Sequence, residues 1–310
     1  MATKPRALRP GDLVGVPAPA GPVDEARLQR GVAELEGLGF GVRVAEGVLD
    51  RRGFTAGTVE SRLRQLHDLW ADPEVAAIAC ARGGAGTIQL LPGLDRGLLA
   101  RNPKLLVGYS DITLLHLEME RRGLPSLHGP MVARDLADGA SSYDRASLWH
   151  GLTGEGSPYA SGPEDLVALD DGTAEGVLRG GCLSMLAATA GTPWAPRRPD
   201  GPVILFLEDI DEKPYRIDRM LRQMRAAGMF LGVEAVVFGD MKGCAPGIDD
   251  DYSLEDVLRE ALAGLDVPVA LGLSSGHTTS PNVTLPLGVR ARLECSAGEA
   301  RLEVLEAPVS

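Results

Sequence analysis

The chain has 310 residues, 44% of them hydrophobic and 24% charged, with 31 Lys and Arg against 43 Asp and Glu. That balance describes an ordinary globular protein of one large domain or two medium ones. A net charge of −12 with no basic run argues against a nucleic-acid partner, and no apolar stretch approaches the ~18 residues that a membrane span needs.

The N-terminus, "MATKPRALRPGDLVGVPAPAG", lacks the long apolar core of a signal peptide, so the expected location is the cytoplasm. Cys80, Cys182, Cys244 and Cys295 are far apart and form no CxxC pair. They read as buried thiols rather than a zinc site or a disulfide framework.

The first half alternates strands and helices. "DLVGVPAPA" reads as a strand that runs into a Pro/Gly loop. A helix follows, with Leu28, Val32 and Leu35 at helical spacing, and then the strand "GVRVAEG". "TVESRLRQLHDLWADPE" is a helix with Leu63, Leu66 and Leu69 on one side. "VAAIACA" is a buried strand, followed by the glycine-rich "RGGAGT" and an expected helix. "KLLVGYS" is the next strand. Alternation with near-continuous apolar strands predicts a parallel sheet covered by helices, an α/β fold.

Residues 1–152 read as this first domain, and the Gly-, Ser-, Pro- and Asp-rich stretch 153–172 as a linker. Residues 173–310 read as a smaller mixed domain. Its strands are "GPVILFLED", "VEAVVFGDM" and "VPVALGL", with a terminal hairpin from "RARLEC" and "ARLEVLE". A helix begins at Pro214 and carries Ile217, Leu221 and Met224 on one face.

"GYSDI" puts Ser110 where an apolar strand meets a helix. A nucleophile elbow places serine on such a turn, but Ile112 stands where a second small residue is usual. A helix cap by Ser110 or Asp111 is the competing reading. A serine needs a base, and a base needs an orienter. His67 reads as a helix-surface residue, and His116, six positions after Ser110, as pointing away from the turn. His150 falls at the edge of the linker. His277, in the small polar loop "LGLSSGHTTSPN", is the preferred base, with His128 second; that loop reads as mobile. Glu208 and Asp209 end an apolar strand, and either could orient a histidine. The cluster Glu208, Asp209, Asp211 and Glu212 could instead attract a hard cation, although Lys213 and Arg216 interrupt it and no EF-hand spacing is present. Gly83, Gly84 and Gly86 follow a strand but form no GxGxxG or GxxxxGK[ST], so a phosphate loop is weakly supported. The Gly84 and Asp111 N–H groups could serve as an oxyanion hole.

In order, "CARGG", "VGYSDIT", "HGPM", "LFLEDIDEKPYRIDRML" and "SSGHTTSPNVTLPLG" resemble the LD-carboxypeptidase family of serine peptidases. The resemblance covers nearly the whole chain. It implies an N-terminal flavodoxin-like domain and a β-rich C-terminal domain, usually in a homodimer. It implies Ser110 as nucleophile, Glu208 as orienter and His277 as base, without metal or cofactor. The family releases terminal D-alanine from the cytoplasmic murein tetrapeptide, and a smaller branch, the microcin-immunity peptidases, cleaves peptidyl-nucleotide amides. The segment from Leu207 to Leu221 looks more like the murein branch. Gly83, Arg82 and Arg216 are candidates for holding substrate, the arginines through a terminal carboxylate. Ala85, where the family often has an aromatic residue, and Cys182, where it often has Asn, depart from the pattern. A ligand-binding protein that uses the same residues without turnover is the non-enzyme reading.

Overall fold

The computed structural model describes residues 4–162 and 165–310. Two compact units are present. The first comprises Met1–Ser157, Pro281–Gly288 and Ala307–Ser310; the second comprises Pro158–Ser280 and Val289–Glu306.

In the first unit, β1 (Leu13–Val16) leads to α1 (Glu25–Gly37), which Asp24 caps by accepting from the Arg27 N–H. β2 (Gly41–Val44) and α2 (Val59–Ala71) follow, α2 capped by Thr58. β3 (Val75–Ala79) is buried along its whole length. The glycine loop after it was expected to enter a helix. It enters two short 3-10 turns, Thr87–Gln89 and Leu91–Gly93, before α3 (Arg96–Arg101). Pro92 and Gly93 interrupt any longer helix, and Asp95 caps a fresh start. β4 (Leu105–Gly108), α4 (Thr113–Glu120), β5 (Ser126–His128) and α5 (Arg145–Thr153) complete the run.

The second unit opens with β6 (Leu166–Asp170) and the eleven-residue β7 (Gly172–Cys182). Residues 166–170 and 172 of the stretch 153–172 expected as a linker are therefore strand; its residues 163 and 164 lie outside the described residues. β6 and the first half of β7 turn Val167, Asp170, Thr173 and Glu175 outward, and their polar and glycine residues hide them in the composition. α6 (Leu183–Ala188), β8 (Val203–Glu208), α7 (Pro214–Ala226), β9 (Val233–Gly239), α8 (Leu254–Leu262) and β10 (Val269–Leu273) follow. Ile217, Leu221 and Met224 form the buried face of α7, as the spacing predicts. The short β11 (Leu285–Leu287) belongs to the first unit, and β12 (Arg290–Ser296) with β13 (Glu299–Val304) is the expected hairpin.

The first unit's sheet has the order β11-β5-β4-β3-β1-β2. β1 to β5 are parallel in the flavodoxin-like order 2-1-3-4-5, and β11 runs antiparallel beside β5. Ligands of such sheets gather outside the carboxyl ends of the strands, where the loops after β1, β3 and β4 lie. The second unit is a closed barrel, β10-β6-β13-β12-β7-β8-β9. Its β7, β8, β9 and β10 are mutually parallel, so the carboxyl ends of β8, β9 and β10 emerge together. Among the described residues no helix is long and apolar enough to cross a membrane.

Candidate active site

Ser110 lies two residues past the end of β4. Gly108 has φ 157° and Ser110 has φ 64°, a left-handed conformation that costs a non-glycine residue about 1–3 kcal/mol. Ser110 is the first residue of a 3-10 turn, Ser110–Ile112, whose cap position is Tyr109. The helix-cap reading therefore fails for the serine. It fails for Asp111 too, whose carboxylate accepts from the Thr87 N–H in the glycine loop at 2.8 Å.

The turn is braced from below by His116. Expected to point away, its ring instead reaches back to the Gly108 carbonyl, 2.8 Å from Nε2, and to the Ser126 hydroxyl, 2.9 Å from Nδ1. A carbonyl can only accept, so Nε2 carries the proton and Nδ1 accepts from Ser126. Burial, with His128 beside it, pushes the His116 pKa down to about 3, so the ring is neutral. The Gly108 carbonyl also accepts from the Gly129 N–H at 3.2 Å. His128 is fully buried at the end of β5, its ring 5.9 Å from that of Tyr109.

The glycine loop packs on the serine. A Cβ on Gly83 would lie 2.9 Å from the Ser110 Cβ and 3.2 Å from its Oγ, so only glycine fits without displacement. Arg82 is exposed and donates to the Pro22 carbonyl at 3.0 Å.

In the second unit, Glu208 ends β8 and is fully buried. Its Oε2 accepts from both the backbone N–H and the Nδ1–H of His277, at 2.9 and 2.8 Å. With Nδ1 protonated, the neutral imidazole carries its lone pair on Nε2, the nitrogen suited to act as a base. The His277 side chain is 13% exposed. Its loop was expected to be mobile, yet it is fastened. Asp240, just after β9, accepts from the Thr278 hydroxyl at 3.0 Å and from the Thr279 N–H and hydroxyl at 2.7 and 2.9 Å. Lys242 donates to the Thr278 carbonyl at 3.3 Å. Asp240 was not singled out in the sequence, although it ends an apolar strand just as Glu208 does.

The acidic cluster does not converge. Asp209 accepts from the Ser184 N–H near the start of α6, and from Ile210 N–H. Glu212 pairs with Arg216 at 3.4 Å, and the Arg216 Nε lies 3.3 Å from the Tyr215 hydroxyl. Among the described residues no group of three or more His, Cys, Asp or Glu side chains is arranged to hold a metal ion. Cys182 sits beside Glu208 in the β7–β8 register. Burial and then the Glu208 and Asp209 charges push its thiol well above the ordinary range, so it does not offer a thiolate at neutral pH.

Comparison with known proteins bears on both units. Residues 14–129 match the family model of the LD-carboxypeptidase N-terminal domain, and residues 175–293 that of the LD-carboxypeptidase C-terminal domain. The chain is 37% identical over 310 residues to the probable murein peptide carboxypeptidase of Bacillus subtilis, covering 99% of this chain and 95% of that protein. It is similar to the crystal structure of muramoyltetrapeptide carboxypeptidase from Oxalobacter formigenes, with a TM-score of 0.85, 34% identity and coverage of 96% and 100% of the two chains. A structure of an MccF-like protein from Bacillus anthracis matches with a TM-score of 0.88 at 28% identity, covering 98% and 100%. MccF is a microcin C7 self-immunity protein. By matches that span both units, this chain belongs to the LD-carboxypeptidase family.

Proposed function

We propose that the protein is a serine carboxypeptidase that hydrolyses the LD-amide bond of a murein tetrapeptide and releases terminal D-alanine. In this reading His277 Nε2 takes the proton of Ser110, and Glu208 holds the ring in the tautomer that permits it. Ser110 Oγ attacks the carbonyl before the terminal residue. The N–H groups of Asp111 and Gly84 receive the negative charge on that oxygen. His277 then protonates the leaving amine, and water hydrolyses the acyl-enzyme with His277 again as base. Arg82, next in the chain to the glycine that abuts Ser110, is the preferred partner for the substrate's free carboxylate over Arg216, which is tied to Glu212. The resemblance to the family extends this reading to peptidoglycan recycling in the cytoplasm by a homodimer.

The observation that carries the reading is the backbone of Ser110. A serine at φ 64°, packed on glycine and serving no cap, is a strained residue without a structural task. The fixed Glu208–His277 pair supports it. The test is D-alanine release from murein tetrapeptides with diaminopimelate or lysine at the third position, alongside an acylated aminoacyl nucleotide. Wild type should release D-alanine and Ser110→Ala should not. Release by Ser110→Ala at the wild-type rate would refute the serine mechanism. Preference for the nucleotide amide would move the protein to the immunity branch.

A further inference from the structure

One peptide bond in the first unit is held from both sides by buried charge. The peptide joins Gly86 to Thr87, at the end of the loop that begins with Gly83. Its carbonyl accepts from Arg62 Nη1 at 3.0 Å, and its N–H donates to Asp111 Oδ2 at 2.8 Å. Arg62 comes from α2 and is 1% exposed; Asp111 follows Ser110 and is 4% exposed. The guanidinium also donates to the Pro19 carbonyl, in the loop after β1, at 2.9 Å and to Gln89 Oε1 at 2.6 Å. The loops after β1, β3 and β4 thus meet on two side chains.

Burying a guanidinium and a carboxylate costs several kcal/mol unless both are paired and hydrogen-bonded. Their separate burial costs are visible, since desolvation lowers the pKa of Arg62 and raises that of Asp111, each opposed by the other's charge. Leu or Met at position 62 would extend the apolar face formed by Leu66 and Leu69 without that cost. What the ions supply is direction. Four carbonyl or amide oxygens, those of Thr58, Pro19, Gly86 and Gln89, are aimed at one planar group, and one N–H is aimed at a carboxylate one residue from Ser110.

We propose that Arg62 and Asp111 are positioning residues which grip the Gly86–Thr87 peptide and thereby hold the Gly83–Gly84 backbone against Ser110. The kinetic part of this inference rests on the serine-peptidase reading, with Gly84 as an oxyanion donor; the mechanical part does not. The clamp acts through the loop, so its loss should show in kcat rather than in KM.

The experiment uses the full chain as wild type, Arg62→Met, Arg62→Lys, Asp111→Ala, Asp111→Asn and the double variant Arg62→Met/Asp111→Ala. Hydrogen–deuterium exchange is followed in peptides covering 81–90, with β3 and β4 as internal references. D-alanine release gives kcat and KM. Exchange across 83–87 should rise at least tenfold in Arg62→Met and Asp111→Ala while the reference strands stay within twofold. kcat should fall at least tenfold with KM within threefold. The double variant should lose no more than the worse single variant, since both remove one clamp. Asp111→Asn, whose amide oxygen can still accept from Thr87, should lose at least fivefold less kcat than Asp111→Ala. Arg62→Lys should behave like Arg62→Met, because an ammonium cannot fork to the same acceptors. Unchanged exchange in the loop overturns the clamp, and so does full additivity in kcat. If Arg62→Met does not fold, the Asp111 pair decides alone. If wild type releases no D-alanine, the serine-peptidase reading fails, and the exchange data still decide the clamp.

Discussion

Glu208 grips His277 twice with one oxygen, through the imidazole Nδ1–H and through the backbone N–H of the same residue. The side chain and the main chain of the histidine are therefore set by a single buried atom. Glu208→Gln should lower kcat by about 10³–10⁴-fold with a smaller change in KM, because an amide can donate to Nδ1 and favour the wrong tautomer. Steady-state D-alanine release measures this, and a loss below tenfold would remove Glu208 from the orienting role. Glu208→Ala should in addition lower unfolding stability by about 1–3 kcal/mol, since the His277 N–H loses its acceptor.

Ser110 stores strain at φ 64°, and glycine relieves it. Ser110→Gly should abolish turnover and yet raise Tm by about 1–2 °C, the shift expected for roughly 1 kcal/mol in a chain of this size. Differential scanning calorimetry on the two purified proteins checks the sign. A fall in Tm would mean that the serine's side chain contributes to stability and that the turn is not under strain.

Gly83 leaves no space for a methyl group beside Ser110. Gly83→Ala should reduce kcat by about 10–100-fold while the protein stays folded, because a shift near 1 Å in positioned groups can cost that much. Labelling of Ser110 by a fluorophosphonate should slow in parallel.

Asp240 accepts three hydrogen bonds from the two threonines after His277. Asp240→Ala should free that loop and lower kcat about tenfold, with exchange rising in 276–280. An unchanged kcat with a faster-exchanging loop would show that the Glu208 grip suffices by itself.

His116 supplies a pH-dependent term. Its pKa is about 3 in the folded protein, for burial and the neighbouring His128, against 6.5 in an unfolded chain. Between those values the unfolded state binds the additional proton, so stability falls as pH drops from about 6.5 towards 3 and is unaffected above 6.5. Well inside that window the slope is about 1.4 kcal/mol per pH unit. Denaturant unfolding at pH 7.5 and 5.5 should show a smaller difference for His116→Gln than for wild type, by about 1 kcal/mol.

The α/β half was legible because β3 and β4 are buried along their whole length and are spelled as continuous apolar runs. The barrel was less so. β6 and the start of β7 turn Val167, Asp170, Thr173 and Glu175 outward, and their Gly, Thr and Asp imitate a linker. At the candidate site, strand-end position and resemblance single out Ser110, Glu208 and His277 as candidates. The residues that brace them are not marked in this way, since their work is defined by partners on other elements: Arg62 with Pro19 and Gly86, His116 with Gly108 and Ser126. A signal was nonetheless present for Arg62. It stands four residues before Leu66 and seven before Leu69 on the buried face of α2, where a charge needs a reason.

β11 carries a consequence for dissecting the protein. The chain passes between the two units at 157/158, 280/281, 288/289 and 306/307, so no single cut yields the first unit whole. A fragment ending at residue 157 would lose the strand that pairs with Leu127 and His128, and β5 would present a bare, unpaired edge. Such edges recruit other chains, and this fragment should come out of expression as aggregate. The last strand of the first sheet arrives only after the barrel strand β10 has been made, so a nascent chain carries the sheet that leads to Ser110 unfinished until nearly the end of synthesis.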